Sequence, residues 1–113
     1  MTKTARVYGG SLYDLAAEEK LDGQIMEQMI AVRQIFRENP GYLKLLGEPA
    51  IPEDERLKMI EEAFGGQAER YLVNFLKLLC ERKILREFAG CCEEFIRRYN
   101  RHMELQKPWL PVQ

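Results

Sequence analysis

QAERYLVNFLKLLCER, residues 67–82, shows the repeat of an amphipathic helix, with no strand-like alternation of polar and apolar residues. Leu72, Leu76 and Leu79 are spaced by four and three residues, which places them on one side of a helix. Asn74 and Lys77 fall on the polar side. A helix of this kind becomes stable by packing its apolar side against other helices. The stretch therefore predicts an all-α fold.

The same helical period recurs on both sides of residues 67–82, and turn-forming residues separate the repeats. The interruptions are Asp22-Gly23, Asn39-Pro40, Gly47 and Gly65-Gly66, and Pro52 is expected at the first position of a helix. These signals predict a six-helix bundle in residues 1–104, followed by an extended tail or hinge remnant in residues 105–113. The six predicted helices cover residues 4–21, 24–38, 42–46, 52–64, 67–82 and 85–104.

The composition is that of one soluble domain, and it argues against two classes of partner. The 113 residues are 46% hydrophobic and 31% charged, with a net charge of −1. A chain with this charge has no overall basic field that would attract nucleic acid. No run of about 18 apolar residues is present, which a membrane-spanning helix would need. We therefore expect neither nucleic-acid binding nor direct membrane insertion.

The three cysteines and the single histidine do not form a recognisable chemical site. Cys80, Cys91 and Cys92 are an odd number of thiols, two of them adjacent, which favours reduced cysteines over a disulfide framework. Adjacent helical residues point about 100° apart, so Cys91 and Cys92 cannot easily chelate one ion. His102 is expected at the surface. We therefore predict no catalytic, cofactor or metal site, and a thiol-sensing regulatory domain stays open as an alternative function.

Two of the predicted helices carry more apolar surface than one core-facing stripe requires. On the first, Tyr8, Leu12 and Leu15 fall within about 60° of each other, beside a second set of small and apolar residues. On the fifth, Tyr71 and Leu78 lie only about 40 to 60° from Asn74, at the border of the polar side. Such ridges fit a groove for a partner helix. Periodicity alone fits equally well two helices buried on most sides.

Several motifs, taken in their order along the chain, resemble those of the ATP synthase delta subunit and oligomycin-sensitivity-conferring protein family. Ala5-Arg6-Val7-Tyr8 and then residues 12–16 (LYDLA) are similar to the opening of that family. Residues 73–79 (VNFLKLL) followed by 81–85 (ERKIL) resemble its most recognisable helix. The resemblance extends over about residues 4 to 104, and the tail does not resemble the hinge of the family.

The resemblance implies a six-helix N-terminal domain that acts as a non-catalytic adaptor of a rotary ATP synthase. In the family, the first and fifth helices hold the amphipathic N-terminal helix of an alpha subunit of the catalytic head. The positions carried over by motif are Tyr8, Ser11, Asn74 and Leu78, and Leu12 and Leu15 are added from the same stripe.

Further expectations about partners and location also come from the resemblance alone. The head would be linked to the peripheral stalk, whose b subunit would be contacted through a C-terminal domain that this sequence lacks. The chain would act as a peripheral protein at the cytoplasmic face of a bacterial inner membrane.

Overall fold

The computed structural model describes residues 1–106 of the chain. These residues form six α-helices and one short 3-10 turn, with no β-strand among them, and this confirms the predicted all-α bundle. The helices are α1 Lys3–Glu18, α2 Asp22–Glu38, α3 Pro40–Leu46, α4 Glu53–Phe64, α5 Arg70–Glu81 and α6 Phe88–Gln106, with the 3-10 turn at Leu85–Glu87.

The break between the first two helices lies earlier than predicted. Asp22-Gly23 was expected to interrupt the chain, but both residues belong to the first turn of α2. The reversal occurs instead at Lys20, whose φ of 60° is left-handed. An aspartate in the first turn complements the positive end of the helix dipole, which favours starting α2 at Asp22.

Other predicted helix starts shift as well, and α3 begins at Pro40 instead of residue 42 because proline suits the first helical position. Pro52 is the N-cap residue of α4 and not its first helical residue, because its ψ of 144° is extended. The fifth helix begins at Arg70 and not at residue 67, since the chain turns at Gly66 with a φ of 79°. The sixth predicted helix begins as the 3-10 turn before α6. At its other end, α6 runs two residues past residue 104, and the rest of the predicted tail lies outside the described residues.

The core includes the apolar stripes of α2 and α5. Leu72, Leu76 and Leu79 of α5 are completely buried. The stripe of α2 is buried throughout and consists of Ile25, Met29, Val32 and Phe36. Phe36 of α2 meets Phe88 of α6 edge to face, with ring centroids 5.6 Å apart. Phe88 also lies 6.4 Å from Phe75 of α5, so one aromatic cluster joins three helices.

Small residues bring α1 and α6 into backbone contact. A Cβ atom added to Gly9 would lie 2.5 Å from the carbonyl oxygen and 2.9 Å from the Cα of Cys91. One added to Gly90 would lie 2.7 Å from the Cβ of Ala5. The two helices therefore touch at positions where a larger side chain has no room.

Ion pairs form along α6 and between α4 and α5. Glu94 of α6 is 1% exposed and accepts hydrogen bonds from Arg97 and Arg98, which lower the pKa of its carboxyl group. Glu61 of α4 accepts from Arg70 and Lys77 of α5, and these bonds lower its pKa to about 2. The Glu61 group is solvent-exposed, so its ion pairs orient α4 on α5 with little effect on stability.

All three cysteines are buried members of the core. The Sγ of Cys92 donates to the carbonyl oxygen of Met29 at 3.6 Å, and that of Cys80 donates to the carbonyl oxygen of Leu46 at 3.5 Å. Burial raises the pKa of Cys91 and of Cys92 to about 12 and also raises that of Cys80. Since the thiolate is the reactive form, this environment disfavours thiol sensing.

The contact between α1 and α6 predicts a stability cost for Gly9→Ala. Alanine favours helices over glycine, but its methyl group would meet the Cys91 backbone, so we expect a loss of about 1 to 3 kcal/mol in the free energy of unfolding. Urea denaturation measures it. Gly41→Ala in α3 is the matched control, because nothing lies within 4 Å of an added Cβ there. Wild-type stability for Gly9→Ala would contradict the close contact.

The burial of the thiols predicts slow labelling of the folded chain. With Ellman's reagent at mildly alkaline pH, we expect Cys80, Cys91 and Cys92 to react only as fast as the protein opens. In concentrated guanidinium chloride, all three should react at once, which serves as the control. Rapid labelling of Cys91 or Cys92 in the native protein would show that these thiols are accessible, and would revive the thiol-sensing hypothesis.

Candidate partner-binding groove

An open apolar groove of about 560 Å³ runs between α1 and α5. We refer to it as the α1–α5 groove, and all six predicted site residues line it. They are Tyr8, Ser11, Leu12 and Leu15 from α1, and Asn74 and Leu78 from α5. The geometry thus brings together residues that are more than 50 positions apart in the sequence, which periodicity alone cannot do.

The ridges of the groove remain accessible and do not form part of the core. Leu15 is 36% exposed, and Tyr8 and Leu78 are half-buried. Leu12 is only 4% exposed and belongs to the floor. The alternative that both ridges are simply core therefore fits Leu12 but not the other positions.

Three further residues line the groove and were not among the predicted site residues: Val7, Tyr71 and Phe75. Val7 is 52% exposed, and it shares a stripe with Ser11 and Leu15 because the three are spaced by four. That spacing could have identified Val7 as a groove residue from the sequence. The helical angle of Tyr71 already placed it beside Asn74. Phe75 is buried in the floor of the groove, and its position in the helical repeat cannot distinguish a floor residue from a core residue.

The lining of the groove is uncharged, and its two polar residues are both exposed. Ser11 stands on the α1 side and Asn74 on the α5 side, among apolar and aromatic neighbours. A hydroxyl and an amide can each donate and accept hydrogen bonds. At one end, the Nη1 atom of Arg82 donates to the hydroxyl of Tyr8 at 3.4 Å, which ties the end of α5 to α1. The groove therefore suits an amphipathic segment with apolar anchors and few charges.

The ridge spacing matches that of a helical ligand. Each side of the groove carries residues about two turns apart, from Tyr8 to Leu15 on α1 and from Tyr71 to Leu78 on α5. Seven residues rise about 10.5 Å along a helix. Helix-in-groove recognition uses anchors at i, i+3, i+4 and i+7, which span the same length.

The described part of the chain contains neither a cluster of metal-binding side chains nor a membrane-spanning helix. Between residues 1 and 106, no three histidine, cysteine or acidic side chains are placed to hold a metal ion. His102, which was expected at the surface, is half-buried and packs edge-on against Tyr13, with ring centroids 6.4 Å apart. Over the same residues, none of the helices is long and apolar enough to cross a membrane.

Comparison with known proteins gives a consistent family match. The family model for the ATP synthase delta (OSCP) subunit matches residues 4–108. ATP synthase subunit delta of Lachnoclostridium phytofermentans is 28% identical over 101 residues, which cover 89% of this chain and 56% of that protein. Its counterpart in Geobacillus sp. (strain WCH70) is 33% identical over 96 residues, 85% of this chain and 53% of that protein. The chain thus spans about half the length of the curated relatives that it matches.

Proposed function

This chain belongs to the ATP synthase delta (OSCP) subunit family, and from that premise we propose that it is a non-catalytic stator adaptor that binds the N-terminal helix of an alpha subunit in the α1–α5 groove. The observation that carries the proposal is the convergence of Tyr8, Ser11, Asn74 and Leu78 on one accessible groove. These are the positions that the resemblance implies for alpha-subunit binding.

The apolar ridges supply the affinity in this proposal. The side chains of Val7, Leu15 and Leu78 present apolar surface on both sides of the groove floor. An amphipathic helix laid between the ridges would remove that surface from water, together with its own apolar face, and burial of this kind drives association. A few central anchors carry most of the binding energy in such interfaces.

The two polar lining residues fix the register of the bound helix. Ser11 and Asn74 are exposed within an otherwise apolar lining. A polar side chain of the partner helix can form hydrogen bonds with them at only one position along the groove. A shift of the helix by one residue would bury that side chain without a hydrogen-bond partner. The groove therefore selects the position of the bound helix along its axis as well as the apolar character of its buried face.

The bundle acts as a rigid seat for that helix. The floor residue Leu12 and the aromatic cluster around Phe88 belong to one packed core, so torque on the bound helix is resisted by the whole domain. We propose that contact with the peripheral stalk belongs to the part of the relatives that this chain does not match. The working location in this proposal is the cytoplasmic face of a bacterial inner membrane.

Isothermal titration calorimetry tests the proposal directly. The probe is a synthetic peptide of the first ~20 residues of the alpha subunit from the same ATP synthase, long enough for several helical turns. We expect tight binding by the 113-residue chain. In Leu78→Asp, a buried charge would face the apolar side of the peptide, and the Kd should rise about thirtyfold or more.

The matched control is Ile30→Asp, which places the same charge on α2 at a position that is 39% exposed and outside the groove. This variant should bind as the wild type does. The α1–α5 groove is not the alpha-subunit site if the correctly folded wild-type chain does not bind the peptide. The same conclusion follows if both variants weaken peptide binding equally.

A further inference from the structure

A second cleft opens away from the α1–α5 groove, where α3, α4, the end of α5 and the 3-10 turn meet. It measures about 380 Å³ and has apolar walls that include Leu43, Leu46 and Leu85. Arg56 of α4 also lines it, although its side chain is only 6% exposed. The cleft therefore combines an apolar interior with a buried positive charge.

The guanidinium of Arg56 has neutral partners only. Its Nε donates to the carbonyl oxygen of Ile51 at 3.0 Å, and its Nη1 donates to that of Leu46 at 3.3 Å. Its Nη1 also contacts the Sγ of Cys80 at 3.9 Å. Among residues 1–106, no carboxylate lies within 4 Å of the guanidinium, and its Nη2 has no protein partner but is not fully buried, so it remains open to a ligand. Glu53, one turn earlier on α4, is exposed and forms no ion pair with it. A buried charge without a counter-charge is costly, so an anion at this place would be stabilised.

The charged residues around this cleft all have the same sign. Lys44, Lys83 and Arg86 line it with Arg56, and no acidic residue does. A smaller cleft of about 140 Å³ adjoins it, shares Leu43, Leu85 and Arg86, and adds two more arginines, Arg33 and Arg37. Six cations thus surround two neighbouring apolar clefts in a chain whose net charge is −1. We call this region the basic double cleft.

We propose that the basic double cleft binds a short acidic segment of a partner protein, with apolar side chains in the two clefts and carboxylates facing Arg56, Lys44 and Arg86. The charge complementarity calls for an anionic partner. The two recessed apolar clefts, joined at Leu43 and Leu85, favour an extended chain with spaced side chains. A bilayer surface presents no projections that would fill recessed clefts.

This site is separate from the α1–α5 groove. The two share no lining residue, so the acidic segment and the alpha-subunit helix are distinct ligands. The proposal therefore does not depend on the adaptor function, and each can fail without the other.

The probe for this site is a capped synthetic peptide, Glu-Asp-Leu-Asp-Glu-Leu-Asp, titrated into the 113-residue chain and followed by amide nuclear magnetic resonance. We expect shifts in α3 and the 3-10 turn Leu85–Glu87. The double variant Lys44→Glu with Arg86→Glu changes two exposed residues of the rim and should weaken binding about tenfold or more.

Two controls separate recognition from general charge attraction. The double variant Lys58→Glu with Arg101→Glu makes the same charge change at exposed positions outside both clefts, and should bind like the wild type. A peptide with asparagine and glutamine in place of the acids should not bind.

Two results would overturn the proposal. One is absence of binding by the acidic peptide, and binding to phosphatidylglycerol vesicles in that case would identify the region as a membrane contact. The other is equal binding by the Lys44→Glu/Arg86→Glu variant.

Discussion

The contact between α1 and α6 is the constraint on which the recognition surface depends. Gly9 lies against the backbone of Cys91, and Ala5 lies against Gly90, so α1 can approach α6 with only one of its sides. Once that side is fixed, the stripe of Val7, Ser11 and Leu15 must face outward beside α5. Two glycines and one alanine thus determine which residues of α1 are available to a partner.

The helices and their buried stripes follow from the sequence because they depend on local spacing. Leu72, Leu76 and Leu79 are completely buried, as their repeat predicts. The first-helix and fifth-helix ridges could also be recognised, but the spacing could not show whether they were accessible. That required the position of α5 relative to α1, and the resemblance supplied it in advance for Tyr8, Ser11, Asn74 and Leu78.

The features that the sequence did not reveal depend on contacts between distant segments. In the sequence, Arg56 cannot be distinguished from the exposed charged residues of the same helix. It can be buried in the structure because the carbonyl oxygens of Leu46 and Ile51 accept hydrogen bonds from its guanidinium. The helix start at Asp22 was missed because the left-handed turn before it lies at Lys20, a residue type that does not indicate such a turn. The start at Arg70 was missed because the backbone is still extended at Glu69, with a ψ of 137°, after the turn that Gly66 did indicate.

The helix α5 contributes to both candidate sites, and its geometry determines how they can influence each other. Leu78 faces the α1–α5 groove, whereas Cys80 lines the basic double cleft. Two residues correspond to about 200° on a helix, so these side chains point to opposite sides of α5. Between them, Leu76 and Leu79 are locked in the core. A ligand in one site cannot touch a ligand in the other, and a packed helix does not rotate freely to transmit a signal. Binding at the two sites should therefore be additive, unless a ligand shifts α5 as a rigid body, and that would disturb the aromatic cluster that holds α2, α5 and α6 together.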